Sequence, residues 1–138
     1  MYDYPATRYA FGNQDFGGGA NVLMYLKGPK GKAGLLFDYG VFGLSEAFAA
    51  GTTTPMMSVG TIADPDYYGD EFDFGALAIN AGGKSVRETH YPGSAGFTSK
   101  MLIREIPADS VVMVTLVAGT GSGLTGQAVP FVDIKWAN

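Results

Sequence analysis

The chain has 138 residues, of which 46% are hydrophobic and only 16% are charged, against a usual charged share of about 25%. This length fits one domain with a sizeable core. Nine basic and thirteen acidic residues leave a net charge of -4. We therefore expect no nucleic-acid partner, because binding to the phosphate backbone needs clustered Lys and Arg. Cysteine is absent, which excludes disulfides, thiolate nucleophiles and Cys-based metal sites.

Residues 1–21 are rich in aromatics and glycine and show neither a helical period nor a strand alternation. We expect an extended N-terminal arm here, followed by a β-sandwich domain over residues 22–138. Large aromatic rings are usually buried against something, so the arm either packs on its own domain or inserts between partner subunits. The working hypothesis is the second alternative, with a hinge at three consecutive glycines. It predicts five partner-binding residues: Tyr2, Tyr4, Tyr9, Phe11 and Phe16.

From Val22 onward the sequence predicts short strands separated by Gly and Pro turns. The predicted strands are residues 22–27, 33–42, 56–62, 72–79, 100–106, 111–117 and 127–136. Only residues 45–50 look helical, with Ser45 as an N-cap and Gly51 as a stop. Short strands at close spacing, without βαβ alternation, indicate an all-β fold, namely an antiparallel β-sandwich or jelly-roll-like domain.

The segment 111–117 is the strongest predicted strand, because nearly every residue in it is apolar. Such a run suits a strand that is covered on both faces or that lies at a subunit interface. It predicts that the chain self-associates as a trimer or dimer.

No membrane partner is expected, although residues 110–132 carry no charge and are long enough to cross a bilayer. The middle of that stretch holds four glycines between Gly119 and Gly126, and Pro130 follows, which is incompatible with a spanning helix. The first residues also lack the basic and apolar regions of a secretory signal. We expect a soluble protein.

Two glycine-rich segments resemble phosphate-binding motifs without meeting their requirements. Gly121, Gly123 and Gly126 have the G-x-G-x-x-G spacing, but a strand follows where the dinucleotide motif needs a helix. We expect a flexible hairpin loop there. The segment 82–85, Gly-Gly-Lys-Ser, lacks the first glycine of a P-loop, and no helix is expected after it. No cofactor is predicted.

Metal binding and catalysis have little support in the sequence. Asp64, Asp66 and Gly69 match three positions of an EF-hand loop, but the bidentate Glu and the flanking helices are missing. A looser calcium site in residues 64–73 and a solvated acidic loop both stay open, and no metal ligand is assigned. His90 is the only histidine, in a loop-like stretch without a nucleophile elbow. We therefore expect no catalytic residue and no enzyme activity.

Three segments together resemble a known family. They read TTPMMSVGTIADPDY over residues 53–67, IPADSVVMVTLVA over residues 106–118 and GQAVPFVDIKW over residues 126–136. In this order they are similar to small head decoration (cement) proteins of tailed double-stranded DNA bacteriophages. The resemblance covers residues 22–136 and not the aromatic arm. It implies a structural virion protein on the outer capsid surface, bound to the major capsid protein and clustered with copies of itself.

The main alternative is a carbohydrate- or receptor-binding β-sandwich module. Such a module would use exposed aromatics beside the acidic loop, here Tyr67, Tyr68 and Tyr91. Half-buried packing is the competing interpretation of the same tyrosines. A small β-fold enzyme ranks third.

Overall fold

The structure, a computed structural model, describes residues 5–49, 51–89, 94 and 104–137. These residues form strands, one helical turn (α1, Val86–Thr89) and one 3₁₀ turn (Ile79–Ala81). The strands are β1 Thr7–Ala10, β2 Gln14–Asp15, β3 Val22–Lys27, β4 Gly34–Ala49, β5 Met56–Gly60, β6 Gly69–Asp73, β7 Gly83–Ser85, β8 Glu105–Ile106, β9 Val111–Val117 and β10 Thr125–Trp136. No helix in these residues is long and apolar enough to cross a membrane.

The strands form two antiparallel sheets, and the predicted all-β sandwich is confirmed. The six-stranded sheet has the order β1-β10-β4-β7, with β2 also paired to β10 and β8 to β4. The four-stranded sheet has the order β3-β9-β5-β6. β4 and β10 pair along their length, and three register shifts interrupt their ladder. Such bulges bend and twist a strand, which lets this long ribbon curl around the core.

The core lies between the inner faces of the two sheets and is built around clustered phenylalanines. Phe16, Phe48 and Phe74 contact one another with ring centroids 5.0–5.6 Å apart, and Phe72 lies 5.4 Å from Phe74. These separations are in the range in which tilted aromatic pairs attract each other. β5 and β9 add Met57, Val59, Val112 and Val114, all of which are fully buried.

The helix expected over residues 45–50 is wrong, because residues 45–49 continue β4. Glu46 and Ala49 pair with residues of β10. The backbone N–H and C=O of Phe48 both bond to Leu77, each at 2.9 Å, and the Phe48 ring is buried. The local signal was one or two turns of helix propensity, which strand pairing and core packing override.

The structure confirms some of the other predicted elements and corrects the rest. The strands at residues 22–27 and 111–117 are confirmed to the residue. The strand expected over residues 72–79 is wrong beyond Asp73, since a 3₁₀ turn forms at its far end. The loop after β9 is not a hairpin, because β9 and β10 belong to different sheets. One helical turn, α1, forms after β7, where no helix was expected.

The described part of the predicted arm belongs to the six-stranded sheet. β1 pairs with β10 over four residues, from Thr7 opposite Ile134 to Ala10 opposite Phe131. β2 pairs with β10 further along the same strand. The sequence did not predict a strand in this segment because β1 has only four residues and most of its side chains are exposed. Such a strand has no alternation of apolar and polar residues that would mark a buried face.

Candidate functional site

Phe16 is the predicted partner-binding residue that the structure places most clearly, and it lies inside the core. Its side chain is 4% exposed and packs on Phe48 and Phe74. A ring in this position completes the apolar core of its own chain, so the expectation that it inserts between subunits does not fit the structure. The alternative in which the arm packs on its own domain describes Phe16.

Tyr9 and Phe11 are half-buried against the same domain. The Trp136 indole nitrogen donates a 2.9 Å hydrogen bond to the Tyr9 hydroxyl, and the two rings meet edge to face. The Phe11 backbone N–H bonds to the Pro130 carbonyl at 3.0 Å. Tyr2 and Tyr4 lie outside the described residues, so their predicted role stays a prediction.

The acidic loop uses its polar groups to hold its own turns. The Thr61 hydroxyl accepts a bond from the Asp64 N–H, and the Asp64 carbonyl accepts the N–H groups of Thr61 and Tyr67. Asp73 accepts bonds from the Gly75 N–H and the Thr54 hydroxyl. In the described part of the chain, no three His, Cys, Asp or Glu residues come together as a group that could hold a metal ion.

The tyrosines considered for sugar binding have different environments. Tyr68 is 2% exposed and therefore cannot stack on a ligand. Tyr67 is 47% exposed and packs edge to face on Tyr68 at 5.3 Å. Tyr91 lies outside the described residues, as does His90, so their predicted roles are untested.

A row of charged side chains crosses the outer face of the six-stranded sheet. Arg8 in β1 lies opposite Asp133 in β10, which in turn lies opposite Asp38 in β4. The Arg8 guanidinium bonds both Asp133 carboxylate oxygens, at 2.8 and 3.0 Å, and stacks 3.8 Å above the Phe131 ring. Two directly opposite carboxylates repel, and this bidentate ion pair offsets that repulsion.

The two ends of this row have altered pKa values. The hydrogen bond to Asp133 is the largest cause that raises the pKa of Arg8. Burial raises the pKa of Asp38, against bonds at 2.9 Å from the Arg87 and Tyr39 N–H groups that favour its carboxylate. Asp38 is thus a partly desolvated carboxylate beside a fixed cation, an arrangement found at binding sites as well as in structural ion-pair networks.

A cavity of about 240 Å³ lies beside this row. Its lining combines the cations Arg8 and Lys84, the carboxylates of Asp38 and Glu88, and the rings of Phe42 and Phe131. The Lys84 ammonium donates a 3.0 Å hydrogen bond to the Phe74 carbonyl oxygen. The Glu88 carboxylate accepts no hydrogen bond from the described residues. The lining therefore offers both donors and acceptors to a small polar ligand.

The outer face of the four-stranded sheet carries large apolar side chains. Leu23 and Tyr25 in β3 are 51% and 53% exposed, and Val111 in β9 is 40% exposed. Leu23 lies opposite Thr115 and Tyr25 lies opposite Met113, so they share one face with the odd-numbered residues of β9. Thr115 is buried on this face, and its hydroxyl has no hydrogen-bond partner among the described residues. We call Leu23, Tyr25 and Val111 the apolar face.

The cavity was not predicted from the sequence. The apolar face was anticipated only through Val111, because residues 111–117 were expected to be covered on both faces or to lie at a subunit interface. Residues 22–27 are apolar at every position before Lys27, so the sequence does not show which side chains of β3 are exposed. The cavity is lined by residues from β1, β4, β7, α1 and β10, which are distant in sequence.

Searches of known protein families, curated proteins and solved structures return no match for this chain.

Proposed function

We propose that the chain is a non-enzymatic structural protein that binds the outer surface of a phage capsid and stabilises the shell, with the major capsid protein as its partner. The apolar face carries this proposal. Three large apolar side chains grouped on one sheet face are typical of a surface that binds another protein. The resemblance of residues 22–136 to phage decoration proteins and the net charge of -4 are consistent with a place outside a DNA-filled shell.

The capsid itself is the test. Particles of the phage that encodes this chain, prepared without it, should lose resistance to heat or low ionic strength and regain it when the protein is added back. Binding should be saturable in a co-sedimentation assay. Absence of binding at every protein concentration would refute the proposal.

A pair of charge variants tests the surface. Val111→Glu places a carboxylate on the apolar face, opposite Lys27, so the new charge does not disrupt the strand pair. We expect it to weaken capsid binding at least tenfold. Ile79→Glu adds the same charge to a 55% exposed residue in the 3₁₀ turn and should bind like the parent protein. If the two variants bind equally well, the apolar face is not the attachment surface.

A carbohydrate- or receptor-binding module is the second candidate, favoured by the cavity beside Arg8. A sugar ring needs hydrogen-bond donors, acceptors and an aromatic surface, and Arg8, Glu88 and Phe42 supply one of each. Glycan-array binding that Glu88→Gln abolishes and Glu71→Gln retains would favour this function over capsid attachment. Glu71 is the matched control because it is an exposed carboxylate of β6 that does not line the cavity.

A further inference from the structure

β3 is an edge strand whose outer side is open in the described structure. Its one described neighbour is β9, to which all six of its residues pair. Along the other side of an edge strand, alternate backbone N–H and C=O groups lack a partner within the sheet. Such a row of groups is a template for another strand.

The other edges of the two sheets are short or protected, as natural edges usually are. β6, the opposite edge of the same sheet, carries three acidic side chains, and two of its carbonyls already accept bonds from Tyr39 and Lys84. In the six-stranded sheet, β7 and β8 have three and two residues, and β1 has four with Arg8 among them. β3 is longer than any of these edge strands.

The sequence of β3, VLMYLK, contains no Pro, no Gly and no charge before its last residue. Its alternate residues Leu23 and Tyr25 are about half exposed, while Val22 and Met24 pack against the core. A long, apolar edge strand without a bulge or an inward charge is a surface for strand pairing.

We propose that β3 pairs antiparallel with β3 of a second copy of this chain, around a two-fold axis at Met24. A two-fold interface brings the same strand together from both copies. Residues opposite each other across antiparallel strands share a face, so the axis must pass through a residue for the two core-facing sides to match.

Polarity selects Met24 among the three central residues. With the axis at Met24, Leu23 lies opposite Tyr25 of the second copy and Val22 lies opposite Leu26, so that every contact among residues 22–26 is apolar. Lys27 lies opposite Asn21, at the outer end of the strand pair. The axis at Tyr25 would place Lys27 opposite Leu23. The axis at Leu23 would place Tyr25 opposite Asn21. In the Met24 register the two Lys27 ammonium groups lie at opposite ends of the strand pair and do not repel each other.

The paired strands would join two four-stranded sheets into one eight-stranded sheet, with both apolar faces on the same side. A standard interface buries about 1,200–2,000 Å² of surface, and a single pair of six-residue strands buries less. We therefore expect a weak dimer with a Kd on the order of 10–100 µM. The inference does not require a capsid, and the protein in solution is sufficient to test it.

Sedimentation equilibrium of the full chain tests the association. The parent protein should be in monomer–dimer equilibrium, and Tyr25→Lys should raise the Kd at least tenfold, because two ammonium groups would enter the strand pair. Ile79→Lys, on the six-stranded-sheet side of the molecule, should leave the Kd unchanged. A parent protein that stays monomeric at about 1 mM, far above the expected Kd, overturns the proposal.

Cysteine cross-linking tests the register, and the absence of native cysteine makes each product unambiguous. A mixture of Leu23→Cys and Tyr25→Cys chains should form a mixed disulfide under mild oxidation, since opposite Cβ atoms lie about 4.5–5.5 Å apart. Each variant alone should cross-link slowly. Faster cross-linking of Tyr25→Cys alone or Leu23→Cys alone moves the axis to that residue and overturns the Met24 register.

Discussion

The Trp136 indole N–H, at the end of β10, bonds to the Tyr9 hydroxyl in β1, and the two rings meet at 87°. β1 lies at the edge of the six-stranded sheet and has four residues. Its main-chain bonds to β10 are thus supplemented by a side-chain contact from the far end of the chain. This contact is one reason why the N-terminal segment lies on the sheet.

Tyr9→Phe should lower the free energy of unfolding by about 1–2 kcal/mol, because it leaves the largely buried Trp136 N–H without its partner. Urea denaturation of Tyr9→Phe, Trp136→Phe and the double variant measures the coupling between the two residues. We expect a coupling energy of about 1 kcal/mol. Additive single effects would show that the hydrogen bond contributes nothing to stability.

Phe16→Ala should cost about 3–4 kcal/mol, since it removes a buried ring that contacts two other core rings. Thermal or urea unfolding gives the value, and Ile62→Ala at a 69% exposed position is the control with little expected change. Removal of residues 1–16 should likewise lower the melting temperature. An unchanged melting temperature in both variants would restore the view of this segment as a separate arm.

The sequence predicts strands best where a short apolar run is bounded by turn residues. Residues 22–27 and 111–117 are such runs. Residues 45–49 are not, and their strand depends on pairing with Leu77 and β10, which only the folded chain brings close. The same reason hides β1, whose partners lie in the last strand.

The candidate surfaces were harder to predict than the fold. Aromatic residues in the first 21 positions suggested a binding arm, yet aromatic content alone does not distinguish a core ring such as Phe16 from an exposed ring such as Tyr25. That distinction depends on which strands become edges. Strand order is a long-range property that residue patterns in one sequence do not contain.

Asp38 should make the protein less stable as the pH rises. Burial raises its pKa above the ordinary 3.8, so the folded state binds more protons than the unfolded state as the pH falls towards that value. The contribution of Asp38 to the free energy of unfolding therefore increases as the pH falls. Asp38→Asn does not titrate, and its oxygen can still accept the bonds from the Tyr39 and Arg87 N–H groups.

The difference in unfolding free energy, parent minus Asp38→Asn, should thus become more positive between about pH 7 and pH 4. Urea denaturation across this range at constant ionic strength measures it. A difference that is flat, or that becomes more negative as the pH falls from 7 to 4, would mean that the charged form is not disfavoured by folding.

Thr115→Val should stabilise the protein by about 1 kcal/mol, although it changes a residue in the central strand β9. The Thr115 hydroxyl is buried and finds no hydrogen-bond partner in the described part of the chain, while Val has nearly the same shape and suits a strand. Ser85→Ala is the contrasting change, since the buried Ser85 hydroxyl accepts a bond from the Glu88 N–H. We expect destabilisation there, and equal effects of the two changes would contradict the assignment of bonded and unbonded hydroxyls.

Gly60→Ala should destabilise the end of β5, where the VGT-x-ADPD segment turns. The acidic loop folds back so closely that a Cβ atom on Gly60 would overlap the backbone carbonyls of Asp64 and Pro65. Backbone atoms cannot yield as a flexible side chain does, so we expect a loss of about 2–3 kcal/mol in the free energy of unfolding. Gly18→Ala is the control, since a Cβ there meets nothing nearer than the Asp15 carbonyl at 3.6 Å. Equal stability of the two variants in urea denaturation would show that the loop does not pack on Gly60.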